Sequence, residues 1–212
     1  VFFVLEMNRV ATLPFRNPVR LGKLDPKHTA FFCCDIQERF RTVIHVMPPV
    51  IKVASLMSKV SKQLEIPLIV TEQYPKAMGN TVPEIDVSHA KVFPKTLFSM
   101  VIPPVADIIK DPEIHSVVLY GIEAHVCVFQ TTLDLLERGI DVHILADGTS
   151  SMRQFDRLTA FNRLRDVGAF VTTSQSVLFQ LCSDSTHPHF KTISGHIKEL
   201  AAENLDYDLS RL

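Results

Sequence analysis

The chain carries almost no net charge: 22 Lys and Arg against 23 Asp and Glu leave a formal −1. Both signs are spread along its length, without the basic footprint that a nucleic-acid binder needs. Cysteine is scarce, four in 212 residues, and Cys33, Cys34, Cys127 and Cys182 form no CxxC pair and no zinc-ligand pattern. A disulfide framework and a structural zinc are therefore not expected, and a reducing, cytoplasmic setting is. No stretch approaches the roughly 18 apolar residues of a membrane-spanning helix. There is no internal repeat or low-complexity tract. What is present is 46% hydrophobic and 21% charged residues, the balance of a globular domain with a substantial core.

Residues 1–6 are apolar but lack a basic n-region and an Ala-x-Ala cleavage site, and they read as a tail with Met7 as an alternative start. The expected division is an N-terminal extension over 1–20, one domain over 21–200 and a C-terminal tail over 201–212. Ser210-Arg211-Leu212 is similar to the Ser-Lys-Leu peroxisomal address with Arg for Lys, which sets a peroxisomal location beside the cytoplasmic one.

Along the chain, apolar runs alternate with helical stripes. Residues 30–34 form a continuous apolar run, as in a strand buried on both faces. Val50, Val53, Ala54, Met57, Val60 and Leu64 make one helical stripe over 50–64. Strands are expected at 67–70, 92–95, 116–120, 142–146 and 169–172, and helices near 101–109, 127–138 and 155–167. Residues 75–90 read as a loop, and the C-terminal third as helical or irregular. Such alternation implies βαβ units and a parallel sheet, whose sites form at the carboxyl ends of the strands. Asp35, Gln73, Lys95 and the segment 121–127 all lie at or just beyond such ends.

Three of these residues can carry chemistry. Cys127 closes the turn Gly121-Ile-Glu-Ala-His-Val-Cys127 and falls in the first turn of a helix, where unpaired N–H groups and the macrodipole favour a thiolate. The plain alternative is a buried structural cysteine. Asp35 ends an apolar strand, where a poorly hydrated carboxylate suits a general base and a helix N-cap is the other reading. Lys95 stands among apolar residues in Phe93-Pro-Lys-Thr-Leu-Phe98; taken alone it reads as a lysine that snorkels to solvent. His143, inside a strand pattern, reads as a core or surface histidine.

Taken together, their order is more specific. The blocks Cys34-Asp-Ile-Gln-Glu-Arg-Phe40, Ile69-Val-Thr-Glu-Gln-Tyr-Pro-Lys76, Pro94-Lys-Thr-Leu-Phe-Ser-Met100 and Gly121-Ile-Glu-Ala-His-Val-Cys127 resemble the isochorismatase-like cysteine hydrolases. The eukaryotic isochorismatase domain-containing branch is the nearest match. Asp147-Gly-Thr-Ser-Ser-Met-Arg153 and His187-Pro-His-Phe-Lys191 extend the resemblance, which spans about Leu21 to Lys198. It implies a three-layer α/β/α Rossmann-like fold, with a mainly parallel six-stranded sheet in the order 3-2-1-4-5-6, and a homo-oligomer, dimer or tetramer. It also implies Cys127 as nucleophile, Asp35 as general base and acid, and Lys95 as the cation supporting them. A cis peptide is implied at Ile122-Glu123, with the backbone N–H groups of Glu123 and Cys127 facing an oxyanion. Candidate pocket residues are Gln37, Phe40, Gln73, Tyr74, Phe98 and His125.

Two departures refine what is expected. Nicotinamidases of this superfamily bind a metal through an Asp-x-His and a further histidine. Between Asp35 and Lys95 only His45 and His89 occur, without that spacing, so no metal and no cofactor are expected. True isochorismatases cleave a vinyl ether and typically lack the cysteine that is present here. The reading is therefore a hydrolase of a small amide acting through a thioester. A catalytically weak binding or scaffold protein and a cysteine-independent ether hydrolase are its rivals.

Overall fold

The computed structural model describes residues 20–202. The expected extension up to residue 19, the tail beyond residue 202 and the Ser210-Arg211-Leu212 address lie outside the described residues. The strands are β1 (Thr29–Cys34), β2 (Leu68–Gln73), β3 (Lys91–Lys95), β4 (Ser116–Ile122), β5 (Asp141–Ser150) and β6 (Phe170–Thr172). They form one sheet in the order β3-β2-β1-β4-β5-β6 with every neighbouring pair parallel. The helices are α1 (Met47–Gln63), α2 (Pro75–Met78), α3 (Pro103–Ile108), α4 (Phe129–Leu136), α5 (Gln154–Asp166), α6 (Ser174–Cys182) and α7 (Phe190–Ala202).

The alternation of side chains along β1 builds both faces of the core. Phe31 and Cys33 point into the layer containing Val50, Val53 and Met57 of α1, Leu178 of α6 and Ile193 of α7. Ala30, Phe32 and Cys34 point the other way, toward Val105 of α3, Leu135 of α4 and Phe161 of α5. All six residues of β1 are buried, as a strand covered by helices on both sides requires. Burying side chains the size of Phe31 and Phe32 contributes roughly 1.5–3 kcal/mol each.

The structure refines several boundaries. β2 runs on to Gln73, beyond the apolar run, because it pairs with β3 as far as Lys95. β5 extends to Ser150 rather than stopping at residue 146. Its register against β4 jumps, with Leu119 opposite Ile144 and Gly121 opposite Thr149. The extra β5 residues form a bulge, and the polar block around Asp147 hides this half of the strand from a periodicity reading. Asp147 is fixed by Ser174 at the start of α6, whose N and Oγ donate to its carboxylate at 2.9 and 2.5 Å. Residues 75–90 are irregular apart from the short α2 and a bridge between Gln37 and Thr81.

His143 is buried on β5 and stacks on Phe170 of β6, ring centroids 4.9 Å apart. Burial pulls its imidazole down to about 4, with Asp141 opposing and Arg20 assisting. The folded state thus binds fewer protons than the unfolded chain below pH 6.5, so stability is full above that value and declines as pH falls toward 4. Urea titrations at pH 7 and pH 5 should show a larger loss for the wild type than for His143→Phe, by up to about 2 kcal/mol.

Candidate active site

The carboxyl ends of β1, β2, β3 and β4 converge on one buried cluster. Asp35, the residue after β1, has a left-handed backbone with φ 53°, a conformation that Asp tolerates better than most side chains. Its N–H donates to the Thr71 carbonyl on β2 at 3.1 Å. The Thr71 hydroxyl donates to Asp35 Oδ1 at 2.8 Å, and Lys95 Nζ at the end of β3 donates to Oδ2 at 2.7 Å. The two charged side chains are 2% and 0% exposed.

A buried ammonium needs oxygen partners to replace its hydration. Besides Asp35, Lys95 Nζ donates to Gln73 Oε1 at 2.6 Å, the Phe98 carbonyl at 2.9 Å and the Leu97 carbonyl at 3.1 Å. Burial alone would lower the proton affinity of Lys95. The surrounding Cys34, Asp35 and Cys127 more than offset it, and its pKa lies above the ordinary value. The cluster therefore holds a permanent cation at neutral pH.

Cys127 approaches from β4. Gly121 has φ 121°, and a Cβ placed there would lie 2.1 Å from the Cys34 carbonyl oxygen, so no residue with a side chain fits. The peptide between Ile122 and Glu123 is cis. The chain then makes a wide π-type turn over Ala124–Val128, with Val128 N–H donating to the Glu123 carbonyl at 3.2 Å. Cys127 sits in this turn, ahead of α4, rather than in the first turn of an ordinary α-helix; such wide turns often mark functional sites. Thr131 fastens the turn by donating to the Cys127 carbonyl at 2.6 Å and accepting from Met100 N at 2.8 Å. The sulfurs of Cys34 and Cys127 and a carboxylate oxygen of Asp35 all lie within 4.8 Å of one another.

That trio has the donor set of a soft metal site. The Lys95 ammonium, however, already stands beside Asp35 Oδ2, and its charge opposes a second cation. Among the pocket candidates, Gln37 commits its amide to the backbone: Nε2 donates to the Gln73 and Gly79 carbonyls, and Oε1 accepts from Gln73 N. It is a brace for the site. Gln73 orients Lys95, and Phe98 contributes its carbonyl while its ring is exposed. Tyr74 is exposed at the end of β2, and Phe40 packs against the α1 layer. His125 is exposed and its Nδ1 lies 3.0 Å from Ser151 Oγ, while Glu123 Oε2 accepts from Met152 N at 2.8 Å. Sequence reasoning missed Thr71 and Cys34 as members of the cluster. Pairing the ends of adjacent parallel strands would have found Thr71, because Cys34 and Thr71 are register partners.

The parallel α/β sheet thus carries a buried Asp35–Lys95 pair and Cys127 at its carboxyl edge. The chain belongs to the isochorismatase family, whose domain model matches residues 29–176. It is 48% identical over 206 residues to isochorismatase domain-containing protein 1 of Danio rerio, covering 96% of this chain and 73% of that one. It is 45% identical over 184 residues to isochorismatase domain-containing protein 2 of Homo sapiens, covering 87% and 90%. The solved structure of the MAR1 ribonuclease of Caenorhabditis elegans superposes with a TM-score of 0.82 at 41% identity, covering 90% of this chain and 98% of that one. Family membership supports hydrolase chemistry. No helix among the described residues is long and apolar enough to cross a membrane.

Replacing one partner of the buried pair tests its energetics. Lys95→Met leaves Asp35 buried without its cation and should cost about 3–5 kcal/mol in urea unfolding at pH 7. Adding Asp35→Asn to that variant should recover a large part of the loss, because no unpaired charge remains.

Proposed function

We propose that the protein hydrolyses a C–N bond of a small amide through Asp35, Lys95 and Cys127. The observation that carries this reading is the Asp35 carboxylate, held by Lys95 and Thr71 with an oxygen within 4.8 Å of the Cys127 sulfur. In this scheme Asp35 accepts the thiol proton and the thiolate attacks the amide carbonyl. The backbone N–H groups of Glu123 and Cys127 receive the oxyanion. Asp35 then protonates the leaving amine, and the carbonyl carbon remains on sulfur as a thioester. A water molecule, deprotonated by Asp35, attacks the thioester and returns the thiol. Lys95 allows the carboxylate and the thiolate to exist as neighbours, since an ammonium paired with the carboxylate offsets their repulsion.

No metal or cofactor takes part in this scheme. A homo-oligomer belongs to the same proposal, with Met152 and the 78% exposed Phe155 offering apolar surface beside the Glu123 turn. The name of the Caenorhabditis elegans neighbour makes RNA hydrolysis a rival reading. Against it, the formal charge of this chain is −1 and the cation at the centre of the cluster is already paired with Asp35.

The test follows iodoacetamide labelling of Cys127 against pH by peptide mapping, together with turnover of a panel of small amides, a vinyl ether and a labelled RNA. Cys127 should label faster than Cys33 and Cys182, with a pH profile that moves in Asp35→Asn. Amide turnover should fall by at least about 10³-fold in Cys127→Ala. Vinyl ether cleavage that survives Cys127→Ala and is lost in Asp35→Asn would replace this reading with the ether hydrolase. RNA cleavage that survives Cys127→Ala would remove the cysteine mechanism. Slow labelling that ignores Asp35→Asn would turn the assignment to a binding protein.

A further inference from the structure

Cys34 is the buried thiol beside Asp35 that the hydrolytic scheme leaves unused. It ends β1, its side chain points into the same layer as Cys127, and its Sγ lies 3.6 Å from Asp35 Oδ2 and within 4.8 Å of the Cys127 sulfur. The two sulfurs differ in access: Cys127 is 7% exposed and Cys34 is fully buried. Both are free thiols whose sulfurs lie within 4.8 Å of one another, and a change of χ1 between staggered wells alters that separation. The other two cysteines, Cys33 and Cys182, pack on the opposite face of the sheet.

We propose that Cys34 is a resolving thiol for Cys127, so that oxidation of the site by a peroxide ends in a Cys34–Cys127 disulfide. The inference rests on Cys127 being reactive, as in the reading above, and adds a modification that the hydrolytic reaction does not require. In the first step the Cys127 thiolate attacks one peroxide oxygen and the O–O bond breaks. Cys127 becomes a sulfenic acid, and the departing hydroxide takes a proton to form water. In the second step Cys34 attacks the sulfenic sulfur, its proton passing through Asp35 to the hydroxyl that leaves as a second water. Both sulfurs are oxidised, and one hydrogen peroxide is reduced to two waters.

Several features of the site suit this role. Cys34 is less accessible to an oxidant than Cys127, because it is fully buried while Cys127 keeps a 7% exposure. Burial and the neighbouring Cys127 and Asp35 push the Cys34 thiol well above its ordinary value, so it stays protonated until a base is at hand. Asp35 is that base, already within reach of its sulfur. A disulfide is uncharged and leaves the Asp35–Lys95 pair neutral. Further oxidation of Cys127 to a sulfinic acid would instead place another anion in the same enclosure.

The test treats the full-length reduced protein with stoichiometric hydrogen peroxide, blocks residual thiols and maps peptides without reductant. Wild type should lose the mass of both thiol hydrogens, join the Cys34 and Cys127 peptides, and recover both thiols with dithiothreitol. Cys34→Ser should instead accumulate sulfinic acid on Cys127 that dithiothreitol does not reverse, by at least tenfold over wild type. Rapid iodoacetamide labelling of Cys127 with sulfinic acid in wild type and no cross-link would overturn the resolving role while leaving the hydrolytic reading intact. Inertness of Cys127 to both reagents would overturn both. A cross-link through Cys33 or Cys182 would also overturn it. Should Cys34→Ser fail to fold, the wild-type peptide map decides alone.

Discussion

The buried Asp35–Lys95 pair is the constraint around which the rest of the site is arranged. A carboxylate and an ammonium removed from water are tolerable only with near-complete replacement of their hydration. The fold supplies it from four places: the Thr71 hydroxyl, the Gln73 amide and the carbonyls of Leu97 and Phe98. These partners explain features that would otherwise look unrelated. β2 must run on to Gln73, Gln37 must brace Gln73, and the chain after β3 must turn its carbonyls inward. The bare approach of Gly121 to β1 then brings the cysteine turn up to a carboxylate already in place.

Much of the fold was legible because a parallel sheet leaves long apolar runs. Residues 30–34 could hardly be anything but a strand covered on both faces, and the stripe from Val50 to Leu64 marked α1. The second half of β5 was not legible: Asp147, Thr149 and Ser150 are polar, and they are in a strand because a bulge and the start of α6 accommodate them. The π-type turn holding Cys127 was also hidden, since its hydrogen-bond spacing leaves no trace in hydrophobic periodicity. At the site, Asp35, Lys95 and Cys127 could be named from the order of their motifs, and the structure brings them into one buried cluster. Gln37 looked like a pocket residue by its closeness to Asp35, but proximity in sequence does not reveal that a side-chain amide is saturated by backbone groups. Cys34 was obscured for the opposite reason, as one more apolar letter in a strand.

The two faces of β1 separate the cysteines by chemistry as well as by direction. Cys33 and Cys34 are adjacent in sequence, yet one lies in the α1 layer and the other beside Asp35. A slip of β1 by a single residue would exchange them. The paired register of β1 with β2 and β4 therefore decides which thiol can communicate with the site.

β3 is the outermost strand on its side of the sheet, and Lys95 is its one fully buried residue. Phe93 packs part-buried against the layer that contains Phe32, and the carboxyl end of the strand is anchored by the Lys95 charge. The residue that supplies the cation to the cluster is thus also the rivet of the strand that carries it. Evolution has little room to retire one role and keep the other: a lineage that abandoned the ion pair would have to refasten the carboxyl end of this strand by other contacts.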